Sequence, residues 1–94
     1  MIKVLKSRTF ESEYKKLHKS EQIEIQAVIK EILKNPFVGE MKAGDLIGLR
    51  VCKCKINKNT ARLGYTYDSQ THSVYLVTMG HRENFYDKIK RILK

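Results

Sequence analysis

Three runs of alternating apolar and polar residues in the second half of the sequence constrain the fold more than any other feature. The runs span Leu49–Ile56, Thr60–Tyr67 and Ser73–Met79. Alternation with a period of two is typical of β-strands that bury one face. The segments between them, Asn57–Asn59 and Asp68–His72, have turn-forming compositions and hairpin lengths. The second half therefore predicts an antiparallel β-meander.

The first half predicts a short strand followed by two helices. Residues 2–6 alternate as a strand does, and either Ser7 or Thr9 can cap a helix whose apolar residues recur at helical spacing. Ser20 can cap a second helix with a wide apolar stripe. That helix is expected to end at Asn35, because the proline that follows steers the preceding residue away from helical geometry.

The remaining segments complete an α+β order. Phe37–Gly48 contains three glycines and predicts a loop, and a C-terminal helix is expected from about Glu83 to Leu93. The order β-α-α-β-β-β-α predicts a helical hairpin packed on a small, twisted, mainly antiparallel sheet, with the helices on one face. A chain of 94 residues has no room for a second core, so residues 1–94 are expected to form a single domain.

Charge gives the first indication of function. Nineteen Lys and Arg against ten Asp and Glu make a net charge of +9, and residues 41–67 hold six basic residues against one acidic residue. Such an excess favours a polyanionic partner, although basic residues can also serve solubility alone. No stretch approaches the roughly 18 uncharged apolar residues of a membrane span, and the N-terminus lacks a signal-peptide core. We therefore expect a cytoplasmic protein with no membrane partner.

The two cysteines, Cys52 and Cys54, favour buried thiols over a disulfide or a metal site. On a strand they point to the same face about 6.5–7 Å apart, at or beyond the usual limit for a disulfide. His18, His72 and His81 are scattered without a ligand spacing. We therefore expect reduced thiols and no metal or other cofactor.

The strand periodicity also predicts a basic cluster. Lys53 and Lys55 share one face of their strand, and Arg62 lies on the corresponding face of the next strand if both apolar faces pack on the helices. The alternative is a solvated face whose lysines serve solubility.

The junction after the last strand adds His81, Arg82 and, one helical turn later, Tyr86. Arg and Lys stabilise the extra charge of a pentacoordinate phosphorus, His or Lys moves protons, and Tyr stacks on a base. The sequence has no acidic cluster for Mg²⁺, which favours metal-independent attack by a 2′-hydroxyl and hence RNA as the substrate. The alternative is a loop-end histidine and a packing tyrosine without catalytic roles.

Three motifs resemble the RelE/ParE superfamily of toxins from bacterial and archaeal toxin–antitoxin modules. They are Lys53-Cys-Lys55-Ile56, Arg62-Leu63-Gly64-Tyr65 and Gly80-His81-Arg82-Glu-Asn-Phe-Tyr86. The resemblance covers nearly the whole chain and is nearest to the RelE branch. It implies a ribosome-dependent endoribonuclease (an mRNA interferase) that cuts mRNA in the ribosomal A site and thereby inhibits translation, leaving a 2′,3′-cyclic phosphate and a 5′-hydroxyl.

The resemblance also implies roles for individual residues. Lys53 and Lys55 match the paired lysines that bind the mRNA backbone, and Lys55 matches the general base for the 2′-hydroxyl. Arg62 matches the arginine that stabilises the transition-state phosphate. Arg82 matches the general acid, and Tyr86 matches the tyrosine that stacks on a nucleotide.

One assignment remains open at this point. His81 competes with Arg82 for the role of general acid, because an imidazole gives up a proton near neutral pH far more readily than a guanidinium. Arg50 and Lys58, the flanking basic residues of the same strand and turn, complete the predicted RNA-binding set with Lys53 and Lys55.

The implied partners are a cognate RelB-like antitoxin, the ribosome with A-site mRNA, and operator DNA reached only through the antitoxin complex. Two alternatives remain. A ParE-like relative poisons DNA gyrase without cutting RNA, and a non-catalytic module binds nucleic acid with a steep salt dependence and no products.

Overall fold

The computed structural model describes residues 2–42 and 48–92, except for the side chains of residues 82 and 83. The elements in chain order are β1 (Lys3–Lys6), α1 (Arg8–Lys16), α2 (Lys19–Lys34), β2 (Glu40–Met41), β3 (Leu49–Ile56), β4 (Asn59–Asp68), β5 (Ser73–Gly80) and α3 (Arg82–Ile92). The α+β fold with its helical hairpin, sheet and C-terminal helix is as predicted. None of the described helices is long and apolar enough to cross a membrane.

The five strands form one mixed sheet in the order β1-β5-β4-β3-β2. The predicted meander is confirmed, since β3, β4 and β5 pair antiparallel in sequence, and β1 pairs parallel with β5. Asn57 and Lys58 make the two-residue turn between β3 and β4 with φ values of 53° and 69°. Positive φ at both central residues is typical of a type I′ turn, whose twist matches that of the strands.

Side chains define the ends of the helical hairpin. Ser7 caps α1 by accepting a hydrogen bond from the Phe10 N–H at 2.9 Å. The prediction for the next helix was wrong by two residues, because His18 and not Ser20 is its N-cap. The Glu21 carboxylate accepts a hydrogen bond from the His18 N–H at 2.8 Å, which satisfies the backbone at that earlier position.

The helical hairpin covers one face of the sheet. Phe10 of α1 and Ile25 and Ile32 of α2 are fully buried there against Leu63 and Tyr65 of β4. This cluster is the larger of the two hydrophobic clusters and sets the position of α1 and α2 on the sheet.

The prediction that all helices share one face was wrong for α3. Phe85 and Ile89 of α3 are buried against Leu49 and Val51 of β3, on the side opposite the hairpin. Gly64 makes this contact possible, since a Cβ at this position would lie 2.9 Å from Phe85 Cζ and 3.0 Å from Ile89 Cδ1. The sheet is therefore covered on both faces, but on the α3 side only in part.

The predicted loop before the meander contains the short strand β2, which pairs with the start of β3. The backbone leading into β2 is held by Tyr65, whose hydroxyl donates to the Pro36 carbonyl at 2.7 Å and accepts from the Gly39 N–H at 2.9 Å. The Arg50 guanidinium donates to the carbonyls of Gly39 at 2.9 Å and Phe37 at 3.2 Å. Residues 43–47 of the predicted loop lie outside the described residues.

Replacement of Gly64 by alanine should weaken the docking of α3. The added methyl group overlaps with Phe85 and Ile89, so we expect Gly64→Ala to lower the free energy of unfolding by about 1–3 kcal/mol. Urea denaturation measures this change. Thr60→Ala, at an exposed position on the same strand, is the control and should stay within about 0.5 kcal/mol of the wild type. A Gly64→Ala variant with the free energy of unfolding of the wild type would contradict the packing of α3 on this face.

Candidate nucleic-acid interface

Three basic side chains form a cluster on the α3 side of the sheet, beyond the part that α3 covers. Lys53 of β3 is directly opposite Arg62 of β4, and Lys55 is opposite Thr60. Side chains of directly opposite residues leave the sheet on the same face, with Cβ atoms about 4.5–5.5 Å apart. We call Lys53, Lys55 and Arg62 the basic row.

The basic row is accessible to solvent and positively charged. Lys53 and Lys55 are exposed and Arg62 is half-buried. Among the described side chains, none of the three forms a salt bridge. Three cations on two neighbouring strands create a positive potential that attracts a phosphate group.

His81 lies at the same end of the sheet and has a defined orientation. Its Nδ1 is 3.0 Å from the Thr60 carbonyl oxygen, and Thr60 pairs with Lys55. Since a carbonyl only accepts hydrogen bonds, Nδ1 must carry the hydrogen. The neutral ring therefore has its free lone pair on Nε2, which is the atom that can take up a proton and, once protonated, donate it.

Helix α3 brings Arg82 and Tyr86 to this side of the sheet. Arg82 is its first residue and lies two residues after Gly80, the register partner of Arg62. The side chain of Arg82 lies outside the described residues, so its predicted role stays a prediction. Tyr86 is half-buried, and its ring meets that of Phe85 edge-on with centroids 5.1 Å apart.

Lys42 is a neighbour of Tyr86 that sequence reasoning did not single out. Its Nζ lies 5.9 Å from the centroid of the Tyr86 ring, and it also pairs with Glu40 at 3.5 Å. The Lys42 N–H donates to the Leu49 carbonyl at 2.9 Å, which continues the pairing of β2 with β3. Only the count of basic residues in residues 41–67 pointed to Lys42, because its contact with α3 depends on the tertiary fold.

The two flanking members of the predicted RNA-binding set lie elsewhere. Arg50 lies on the hairpin side of β3, which is the other face of the sheet from Lys53. Its guanidinium donates to two backbone carbonyls and lies 5.0 Å from the centroid of the Phe37 ring. The structure does not bring Arg50 together with the basic row. Lys58 is exposed at the tip of the β3–β4 turn, three residues after Lys55 and at the same end of the sheet.

The cysteines lie on the hairpin side, away from the basic row. Cys52 and Cys54 are free thiols, each half-buried against the larger cluster. Burial raises the pKa of Cys54 to about 11, with smaller contributions from Cys52 and Glu24. Burial also raises the pKa of Cys52, against a hydrogen bond with Tyr65 that lowers it. Among the side chains that the structure describes, no three His, Cys, Asp or Glu residues form a group that could hold a metal ion.

Solved structures with this fold include several toxins. A mutant of the RelE toxin from E. coli in the free state has a TM-score of 0.73 at 18% identity, covering 97% of each chain. The toxin of the intact E. coli RelBE toxin–antitoxin complex has a TM-score of 0.71 at 17% identity, covering 86% of this chain and 96% of that one. A YoeB/ParE toxin from Agrobacterium tumefaciens has a TM-score of 0.70 at 16% identity, covering 86% and 99%. At these identities the likeness shows the fold.

The family model described as "ParE-like toxin of type II bacterial toxin-antitoxin system" matches residues 4–90. No curated protein sequence matches the chain. The chain therefore belongs to the ParE-like toxins of type II toxin–antitoxin systems, within the RelE/ParE superfamily that its motifs resemble.

The raised pKa of Cys54 should make stability depend on alkaline pH. Burial in the folded protein raises the pKa of this thiol from its ordinary value of 9.0 to about 11. Between these values the unfolded state binds fewer protons, so the free energy of unfolding should fall as the pH rises from about 9 to about 11. Urea denaturation across this range should show a steeper fall for the wild type than for Cys54→Ala. Equal slopes in the two proteins would contradict the burial of the thiol.

Proposed function

We propose that this toxin is a ribosome-dependent endoribonuclease that cleaves mRNA in the ribosomal A site without a metal ion. The observation that carries the proposal is the basic row beside His81, whose ring is oriented by the Thr60 carbonyl. Cations for the phosphate and a side chain that can pass a proton are the requirements of RNA cleavage by its own 2′-hydroxyl.

The proposed reaction assigns one task to each residue. Lys55, in its neutral form, accepts the proton of the 2′-hydroxyl, and the 2′-oxygen forms a bond to phosphorus. Arg62 and Lys53 stabilise the negative charge that develops on the phosphoryl oxygens. The bond from phosphorus to the 5′-oxygen breaks, and protonated His81 donates its Nε2 proton to that oxygen. The products are a 2′,3′-cyclic phosphate and a 5′-hydroxyl.

Two further residues are proposed to act on the substrate without exchanging protons. Arg82 begins α3 two residues after Gly80, the register partner of Arg62, and serves as an additional cation for the phosphate. Tyr86 presents a half-buried ring that stacks on a nucleotide and orients it for attack. Lys58, exposed near Lys55, contacts the RNA backbone.

The proposed partners follow from the same charge distribution. Structures of similar fold include toxin–antitoxin complexes named RelBE, which supports a RelB-like antitoxin for this chain. An acidic antitoxin segment suits the net charge of +9 and would block the basic row. We propose that operator DNA is bound only by the toxin–antitoxin complex and that the toxin acts in the cytoplasm.

The second candidate function is poisoning of DNA gyrase by protein contact, and the observation that favours it is the match to the ParE-like family model. Gyrase poisoning does not require cations and a histidine at one end of the sheet. The two functions are separable in cells, because one leaves cut mRNA and the other leaves broken DNA.

Replacement of the basic row should abolish cleavage of translated mRNA. On inducible expression, we expect primer extension to show codon-phased cuts that fall about 100- to 1,000-fold in Lys55→Ala and in Arg62→Ala, since the first removes the proposed base and the second removes a charge aimed at the reacting phosphate. Lys90→Ala, which removes an exposed charge from α3, is the matched control and should cut as the wild type does.

Other outcomes of this experiment would overturn the proposal. Growth arrest with intact mRNA and DNA breaks would support gyrase poisoning instead. Salt-sensitive RNA binding without products would indicate a non-catalytic module.

The general acid can be identified by changing the leaving group. We expect His81→Ala to slow cleavage of A-site mRNA strongly, because the 5′-oxygen then leaves without a proton. A bridging sulfur in place of that oxygen needs no proton to leave and should restore the rate of His81→Ala. Single-turnover cleavage of both substrates on programmed ribosomes measures this rescue.

Arg82→Ala is the comparison variant for this experiment. Because Arg82 is proposed to act as a cation for the phosphate, Arg82→Ala should lose activity on both substrates alike. If His81→Ala kept full activity on the normal substrate, or if the sulfur substrate rescued only Arg82→Ala, the acid would be Arg82 and our assignment would be wrong.

A further inference from the structure

The outer edge of β5 is only partly covered by a strand. β1 pairs with β5 from Ser73 to Leu76, and beyond this point Ser7 ends the pairing by donating its N–H to the Leu76 carbonyl at 3.0 Å and its hydroxyl to the Val77 carbonyl. The N–H and carbonyl of Met79, which point away from β4, therefore have no partner strand among the described residues. Unpaired backbone groups at a buried edge are costly unless side chains replace the missing strand.

Two charged side chains supply the missing hydrogen bonds. One carboxylate oxygen of Glu13 accepts from the Met79 N–H at 3.1 Å and from the Thr78 hydroxyl at 2.7 Å. The Lys88 ammonium donates to the Met79 carbonyl at 2.6 Å and forms an ion pair with the other oxygen of Glu13. We call Glu13 and Lys88 the edge pair.

The edge pair joins the two covered faces of the sheet. Glu13 comes from α1 on the hairpin side, and Lys88 comes from α3 on the other side, so their contact passes around the edge of β5. Only 23% of the Glu13 side chain and 21% of the Lys88 side chain are exposed, which limits screening by solvent. Gly80 makes room for this contact, since a Cβ at this position would lie 2.7 Å from Lys88 Nζ.

We propose that Glu13 and Lys88 are positioning residues that hold α3 at one rotation on the sheet and thereby set His81 and Tyr86 relative to the basic row. This inference rests on the function proposed above. Apolar contacts of Phe85 and Ile89 hold α3 against the sheet but allow it to turn, whereas hydrogen bonds from Lys88 are directional. Lys88 is two residues from Tyr86 on the same helix, so a rotation that releases Lys88 also moves the Tyr86 ring.

The edge pair also acts on His81 through the backbone. Met79, to which both side chains bind, is two residues before His81. Fixing the Met79 peptide groups therefore fixes the point at which the chain leaves β5. Loss of either partner leaves the other charge partly buried and without its counter-ion, which favours movement of α3.

Lys88→Met and Lys90→Met test the inference as a matched pair. Both remove one positive charge from α3, but Lys90 is exposed and makes no contact with β5 among the described contacts. Two-dimensional NMR of the free protein reports the ring resonances of Tyr86 and His81, and single-turnover cleavage on programmed ribosomes reports the rate and the affinity separately.

We expect Lys88→Met to shift the Tyr86 and His81 resonances and to lower the cleavage rate about 10- to 100-fold, as a misplaced group does, with little change in ribosome affinity. Lys90→Met should change none of these quantities. Glu13→Gln keeps an acceptor for the Met79 N–H but loses the charge, so its effect should be smaller than that of Lys88→Met and it provides a second variant if Lys88→Met does not fold.

Unchanged Tyr86 and His81 resonances in Lys88→Met would overturn the inference, as would shifted resonances with an unchanged rate. A wild type that does not cleave mRNA would instead refute the proposed function. In that case the Tyr86 and His81 resonances of free Lys88→Met, compared with those of Lys90→Met, are sufficient to test whether the edge pair positions α3.

Discussion

The register of the β3–β4 hairpin is the constraint on which the rest of this structure depends. The two-residue turn at Asn57 and Lys58 places Lys53 directly across from Arg62, and Val51 directly across from Gly64. A slip by one residue would turn every side chain of one strand to the other face of the sheet. The same register thus places Lys53 and Arg62 on the part of the sheet that α3 leaves uncovered, and it places Val51 and Gly64 beneath α3.

That arrangement explains how one face of a small sheet serves both packing and charge. At the Gly64 level the sheet accepts Phe85 and Ile89 of α3, and at the Arg62 level it faces solvent with half-buried or exposed cations. A site built on paired strands keeps its geometry better than one built on loops, which suits the positioning of a phosphate. The segment that follows β5 lies outside the paired strands, and the edge pair of Glu13 and Lys88 binds Met79 just before it.

Much of the fold and part of the candidate site could be predicted from local patterns. Alternation marked Leu49–Ile56 with the bounds that the structure has, and it put Lys53, Lys55 and Arg62 on one face. The predicted start of α2 was wrong, because the pattern does not reveal that Glu21 reaches back to His18. The prediction of the face on which α3 packs was also wrong, since a single glycine in a strand does not indicate which helix will pack over it.

By itself, the sequence determined the elements, their order and the face shared by the basic row, because periodicity and turn chemistry act over a few residues. Only the tertiary structure decided that Arg50 holds the backbone before β2, that Lys42 lies over Tyr86, and that Glu13 meets Lys88 at the edge of β5. These contacts join residues up to 75 positions apart in the chain. They depend on which face each helix covers, and side-chain packing across the whole sheet sets that choice.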